Sequence, residues 1–318
     1  MKFKKISKCV CGKKFKKENK IFFKKFPRTE IIKKNKSSLK NYSFDQEIAQ
    51  CQNCNHLALT RQIDPKYIYN DNDYIFSSSN SYSAIFANEI FFKFINGYLS
   101  KRKKIRSILE IGSNDLYLLK KFYKIANKLT GIDPVIKKDK KYTKIKTIKK
   151  FFNNQSLEKI DDDNELIICG HTLEHVEKPE VFIKNVLTKA NKNTKIFFQF
   201  PSSESLINSG SYDQIHHQHY NYFSINSINE MIKRCGGKLI DFSYNNLHYG
   251  ALMIFFSKKD SKIKSLKTVK KNNKFINIEI IRQESQGIYK AWNLGLRNLL
   301  NRESENHFIS ILNSDDWL

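Results

Sequence analysis

Three of the chain's eight histidines fall within four positions, in Tyr212-Asp-Gln-Ile-His-His-Gln-His-Tyr-Asn-Tyr-Phe-Ser. Imidazoles crowded in this way disfavour one another's protonation, which leaves a neutral base able to take a proton near neutral pH. His217 and His219 alternate, so an extended backbone would point them to one side and His216 to the other. A second group, Cys169-Gly-His-Thr-Leu-Glu-His-Val, puts His171, Glu174 and His175 just beyond an apolar run. Its H-x-x-E-H order is that of an inverted zincin motif, but Pro179 and the preceding strand pattern favour a turn over the helix that chemistry needs. The third group is Cys9-Val-Cys11 with Cys51-Gln-Asn-Cys54. Four thiolates from two knuckles are the tetrahedral set that zinc favours, although C-x-C cannot form the usual C-x2-C knuckle without distortion. His56 could replace one cysteine, and a surface position is the simpler reading.

These residues need a scaffold, and Ser107 to Pro134, SILEIGSNDLYLLKKFYKIANKLTGIDP, describes its front half. Ile108 to Ile111 suits a strand covered on both faces, and it stops at Gly112, where the backbone must turn tightly. Ser113, Asn114 and Asp115 are N-cap types, so a helix is expected to begin there, with Leu118, Leu119, Phe122, Tyr123 and Ile125 on its packed face. Asp133 closes the second strand about 20 residues after the turn, where a carboxylate can accept both hydroxyls of a ribose. Later strands are expected at Glu165 to Cys169, Ile196 to Phe200, Leu239 to Phe242 and Leu252 to Phe256. Helices are expected at Ala84 to Leu99, Glu180 to Ala190 and Ile225 to Cys235. This alternation predicts an α/β fold with a mostly parallel sheet, whose carboxyl edge binds ligands. Cys169 and Cys235 fall inside elements and read as core thiols.

Composition excludes more than it identifies. The net charge is +26, but the lysines are spread along the chain and interleaved with Ile and Asn. That is the pattern of solvated faces in a compositionally biased chain; no specific nucleic-acid partner is expected, and a general attraction for phosphorylated substrates remains. No apolar run reaches the roughly 20 residues of a membrane span. The N-terminus lacks an apolar signal stretch, so a cytoplasmic location with reduced thiols is expected.

One glycine at the turn does not meet the three-glycine dinucleotide pattern. The acid-G-x-N-D turn with a later acid resembles instead the S-adenosylmethionine (SAM) site of class I methyltransferases, with Glu110 before the glycine. LEIGSND, GIDP, HTLEHVEKP, FQFPS, YDQIHHQHYNYFS and HYGALMIFFSK, in this order behind FPRTE and CQNCNH, resemble the SAM-dependent sugar C-methyltransferase family over roughly residues 8 to 258. The resemblance implies a zinc-binding domain at 1–66 held by Cys9, Cys11, Cys51 and Cys54, and a methyltransferase domain with a Rossmann-like sheet at 67–258. SAM would be held by Glu110, Gly112, Asn114, Asp115 and Asp133, with His171 at the same edge. A base in the histidine segment would deprotonate the carbon next to a keto group of a nucleotide-linked deoxysugar, a step that needs no metal. The candidates are His219, His217, His216 and, from the neighbouring turn, His175. The family usually has a glycine at Leu116, and often a tyrosine at His216 and a glutamate at Gln218. Without that glutamate, His219 is the expected base.

Beyond a basic linker at 259–280, ESQGIYKAWNLGLRNLL and HFISILNSDDWL look like part of a family 2 glycosyltransferase, in which Asp315 and Asp316 would hold a divalent metal. The piece at 281–318 lacks the remainder of such a domain, so no glycosyl transfer is expected from it. Two other readings follow: an incomplete methyltransferase–glycosyltransferase fusion, and a basic binding module that has lost catalysis and would not bind SAM.

Overall fold

A computed structural model of the chain describes residues 3–27, 43–64, 77–100, 104–136, 139–209, 214–245, 250–267 and 269. The glycosyltransferase-like segment, with Asp315 and Asp316, lies outside them.

The N-terminal unit comprises β1 (Phe3–Lys5), β2 (Lys20–Pro27), β3 (Ser43–Gln50), β4 (Leu57–Leu59) and β5 (Arg61–Ile63). After it come α1 (Tyr82–Asn96), β6 (Ile105–Ile111), α2 (Tyr117–Lys121), β7 (Ala126–Ile132), β8 (Ile145–Ile148) and β9 (Asn164–Gly170). Then follow α3 (Pro179–Thr188), β10 (Ala190–Pro201), α4 (Ser203–Ser209), β11 (Asn221–Tyr222), α5 (Ile225–Arg234), β12 (Gly237–Asn245) and β13 (Ala251–Lys258).

Seven strands form the central sheet in the order β12-β13-β10-β9-β6-β7-β8. From β10 to β8 all neighbours are parallel, and β13 is inserted antiparallel between β10 and β12. The period-2 geometry of a strand divides each apolar run between two cores. Leu109, Ile111, Ile167, Ile196, Phe198 and Ile254 face one core. Ile108, Leu129, Ile168, Phe197 and Phe255 face the other, where Phe91 and Ile95 of α1 cover them. Strand connections diverge between β6 and β9, so the switch point at their carboxyl ends is where an open α/β sheet binds its ligand.

One expectation is corrected. The helix after the glycine turn is only the short α2, because Asn114 and Leu116 take left-handed conformations (φ 41° and 65°) that no helix can include. Ser113 to Asp115 are therefore a turn, and Leu116, not one of the N-cap types, precedes the helix. Leu116 occupies the position where the related family usually has glycine, and its backbone conformation is the one glycine favours. Its side chain fills the space that Gly131 leaves: a Cβ on Gly131 would lie 2.9 Å from Leu116 Cδ2.

Contacts cross the boundary expected near residue 66. β11, which follows the histidine segment, pairs with β4 and completes a four-stranded sheet β11-β4-β3-β2. Cys9, Val10, Phe15, Cys51 and Cys54 share one core with Phe223, Ile225 and Ile228. On the far side, residues 265–267 of the expected linker lie along the edge strand β12, with the Leu266 N–H donating to Ile240 O at 2.7 Å. Among the described residues no helix is long and apolar enough to cross a membrane.

Candidate active site and cysteine cluster

The glycine turn stands at the carboxyl end of β6. Gly112 has φ +73°, and a Cβ there would lie 1.8 Å from Thr172 Oγ1. The turn is thus closed against the β9 loop, whose Thr172 the sequence reading did not single out. Gly112→Ala should cost about 1–3 kcal/mol from the overlap and weaken SAM binding. In a double variant with Thr172→Gly, thermal melts should recover part of that loss; additive losses would show that the contact is not the cause.

Asp133 lies at the end of β7, 8% exposed. Its Oδ2 accepts the Asn114 N–H (3.0 Å) and its Oδ1 the Val135 N–H (2.8 Å). Burial raises its pKa despite these donors. Glu110 is deeper still, at 4% exposure. Burial first, then the Asp115 and Asp133 carboxyls, push its pKa well above the carboxylate range. Its Oε2, like Ser113 Oγ, is buried without a hydrogen-bond partner. Asp115 differs from both: its Oδ2 accepts the Ser77 hydroxyl and the Ser79 N–H, and its Oδ1 the Tyr117 N–H. Against the raising effect of burial, the bonds from Ser77 and Ser79 hold its pKa below the usual value. Its contacts hold the loop ahead of α1 over the turn, a role that its spacing from Gly112 does not reveal.

His171, just past β9, has φ 48° and donates its backbone N–H to Gln199 O at 2.7 Å. Gln199 Nε2 lies 2.7 Å from His171 Nε2, and Glu174 Oε1 lies 3.5 Å from His171 Nδ1. A neutral ring with its proton on Nδ1 satisfies both contacts. Gln199 is a further residue the sequence reading missed, and its one signal is a polar position inside FFQFP. The H-x-x-E-H stretch forms a turn of 3-10 helix at Leu173–His175, as its context predicts, and not a zincin helix.

The histidine segment is a turn, not a strand, and the expected pairing is reversed. His219 N–H donates to His216 O at 3.2 Å, which brings the two rings within 3.9 Å. His175 joins them, its ring 4.8 Å from that of His219, and its Nδ1 donates to Gln218 O at 3.0 Å. His217 turns away and packs, 1% exposed, between Phe26 and Phe44 of the N-terminal unit. Burial, then His175 and His217, lower the His216 pKa to about 3, so that ring stays neutral. The β9 loop, whose Thr172 meets Gly112, therefore gathers His171, Glu174, His175, His216 and His219, and His217 belongs to the packing that joins the two parts of the chain.

All four cysteine sulfurs of the N-terminal unit lie within 4.8 Å of one another. Cys9 and Cys54 are 3.5 Å apart and Cys11 and Cys51 are 3.6 Å apart. Zinc bound at ~2.3 Å to each sulfur needs tetrahedral edges of about 3.8 Å. The C-x-C pair reaches this arrangement because Gly12 adopts φ 85° and donates its N–H to Cys9 O, as Asn55 with φ 60° does for Cys51 O. The hydrogen bond shared with Cys9 lowers Cys11 to about 6, while the contacts with Cys11, Cys51 and Cys54 raise Cys9. Four thiols held so close cannot all ionise without a cation. His56 is neither a ligand nor at the surface: it is fully buried, stacked 4.8 Å from Phe223, with Nε2 3.3 Å from Asn221 Oδ1. Burial lowers its pKa to about 4. Cys169 is a core thiol as expected, and Cys235 Sγ donates to Glu180 O.

Residues 84–241 match a protein family described as a methyltransferase domain. No curated protein matches the chain. Among solved structures, it is similar to the Burkholderia thailandensis 1,6-didemethyltoxoflavin-N1-methyltransferase, with 10% identity over 68% of this chain and 96% of that one, at a TM-score of 0.46. It is also similar to the N-methyltransferase NodS from Bradyrhizobium japonicum, with 12% identity over 60% and 94%, at a TM-score of 0.43. The magnesium protoporphyrin IX methyltransferase of Synechocystis is a third, with 10% identity over 55% and 85%, at a TM-score of 0.41. The fold is the α/β fold of class I methyltransferases, enzymes whose cofactor is SAM. The turn fits that cofactor: an unpartnered Glu110 oxygen and three mutually repelling carboxyls are complemented by a ligand that carries sulfonium and ammonium charges.

Proposed function

We propose that the protein transfers a methyl group from SAM to a carbon next to the keto group of a nucleotide-linked deoxysugar. The observation that carries this reading is the cluster of His175, His216 and His219 at the β9 loop that closes the glycine turn, because carbon is not nucleophilic until a base removes its proton. Methyl transfer to an amine or hydroxyl needs no such concentration of imidazoles.

Glu110 and Asp133 would hold the cofactor, and the Asp133 carboxylate keeps lone pairs beyond those taken by Asn114 and Val135 that could accept ribose hydroxyls. Gly112 and Asn114 shape the turn against it. When bound, SAM supplies an electrophilic methyl on sulfur, open to in-line attack. His219 takes the proton from the carbon next to the keto group, and the neutral ring of His216 beside it keeps its lone pair available. The electron pair of the broken C–H bond passes into the enolate, whose carbon would form the new C–C bond as the methyl–sulfur bond broke and left its electron pair on sulfur. His171, held by Gln199 and Glu174, presents a polar group near the enolate oxygen. The cysteine cluster holds a structural zinc ion that fixes the N-terminal unit against this edge.

Calorimetric titration with SAM, repeated on Asp133→Ala, tests the cofactor site. Saturable binding weakened at least tenfold in the variant is expected, and equal affinity would refute the assignment. Incubation with keto-sugar nucleotides should then yield a product heavier by one methylene, with the methyl on carbon. A product methylated on oxygen or nitrogen would refute the chemistry.

A further inference from the structure

We infer that Glu174, His175 and His219 form a binding site for a divalent transition-metal ion, separate from the cysteine cluster. One ligand atom from each of the three lies within 4.8 Å of the others. His175 donates its Nδ1 proton to Gln218 O at 3.0 Å, which leaves Nε2 as the ring's lone-pair nitrogen. A backbone carbonyl on the far ring nitrogen is the support that metal-binding histidines usually have, since it fixes both the tautomer and the ring plane.

Glu174 supplies a second, independent sign. Its side chain is 1% exposed, and while Oε1 faces His171 Nδ1 at 3.5 Å, Oε2 is buried without a hydrogen-bond partner. An ionisable oxygen buried with no donor is costly, and a cation removes that cost. The His216 ring packs 3.9 Å from that of His219 and shields this side of the site from water. Two imidazole nitrogens with one carboxylate suit Zn2+, Co2+ or Ni2+ and disfavour Mg2+ and Ca2+, which prefer all-oxygen sets.

The consequence for catalysis rests on the function proposed above. A neutral imidazole has one lone pair in its plane, so His219 cannot hold a metal ion and accept a substrate proton at once. Metal loading at this site blocks deprotonation, and the free site is the active one.

Co2+ titration of the full chain, followed by absorption and by equilibrium dialysis, tests the site. Thiolate-to-cobalt charge-transfer absorption marks ions at the cysteines, so an equivalent bound without that absorption belongs to the histidine site. One such equivalent is expected per chain, bound at least tenfold more weakly in His219→Ala and in Glu174→Gln. Retained SAM binding would show that the variants fold. Absence of that equivalent from the unmodified chain, or undiminished binding in both variants, would overturn the site. Methyl transfer that falls as the equivalent fills supports the block, whereas transfer that rises would overturn it and leave the site standing. Failure of every keto-sugar to react counts against the proposed function alone, because cobalt binding is read without turnover.

Discussion

His219→Ala is expected to lower methyl transfer by about 10²–10⁴-fold, the usual contribution of a positioned base, while SAM affinity stays within about twofold. The two readouts separate because the groups assigned to the cofactor lie at the glycine turn, and His219 lies on the loop after α4. In that loop the His219 ring rests against His216 at 3.9 Å and His175 at 4.8 Å, so its removal leaves a gap lined by imidazoles and leaves Asp133 and Glu110 untouched. His217→Ala supplies the contrast. That ring lies between Phe26 and Phe44, so its loss should cost stability, about 2–4 kcal/mol for a large buried side chain, with a small effect on the turnover of the folded enzyme. The two variants are compared by single-turnover rate and by thermal melting. A His217→Ala enzyme that melts normally and fails to react would reverse the assignment, and a fully active His219→Ala enzyme would refute it.

The difference between these histidines shows where sequence reading succeeds and where it stops. The sheet was legible because its strands are continuous apolar runs with short polar interruptions, and the glycine turn because acid, glycine and later acid occupy fixed places along a βαβ unit. The direction in which each histidine points was not legible. Alternation assumes an extended chain, and a hydrogen bond from His219 to His216 O folds the segment into a turn, so that neighbours at i and i+3 share a side. The contacts of Asp115 were not legible for a related reason: spacing from Gly112 cannot show that Ser77 and Ser79, far back in the chain, donate to its Oδ2. Leu116 shows the reverse case. Its left-handed backbone explains why glycine is expected there, and only the missing side chain of Gly131 explains how leucine fits.

Cysteine spacing marks a metal knuckle and says nothing about what the knuckle packs against. Removing the proposed zinc ion, by a strong chelator or by Cys54→Ser, is therefore expected to disable the whole enzyme and not only its first 66 residues. Cys54 is 2% exposed, and its carbonyl accepts the Ser224 hydroxyl at 2.6 Å, at the residue that caps α5. Arg234, at the other end of α5, donates to Val10 O beside the first cysteine. β11, two residues beyond His219, hydrogen-bonds to β4 only three residues beyond Cys54. Structural zinc contributes its binding free energy directly to folding, on the order of 10 kcal/mol in small zinc modules. Loss of even a few kcal/mol lowers Tm by about 10 °C in a domain of this size. The loss should reach the active site, so methyl transfer and the protection of His175 and His219 amides from hydrogen exchange should fall together with the melting temperature. An autonomous zinc domain predicts the opposite: two separate melting transitions, with the second unchanged and SAM binding retained after chelation. The shared core of Cys9, Cys51, Cys54, Phe223 and Ile225 favours the single transition, because the apolar surface that would be exposed is the same on both sides of the supposed boundary.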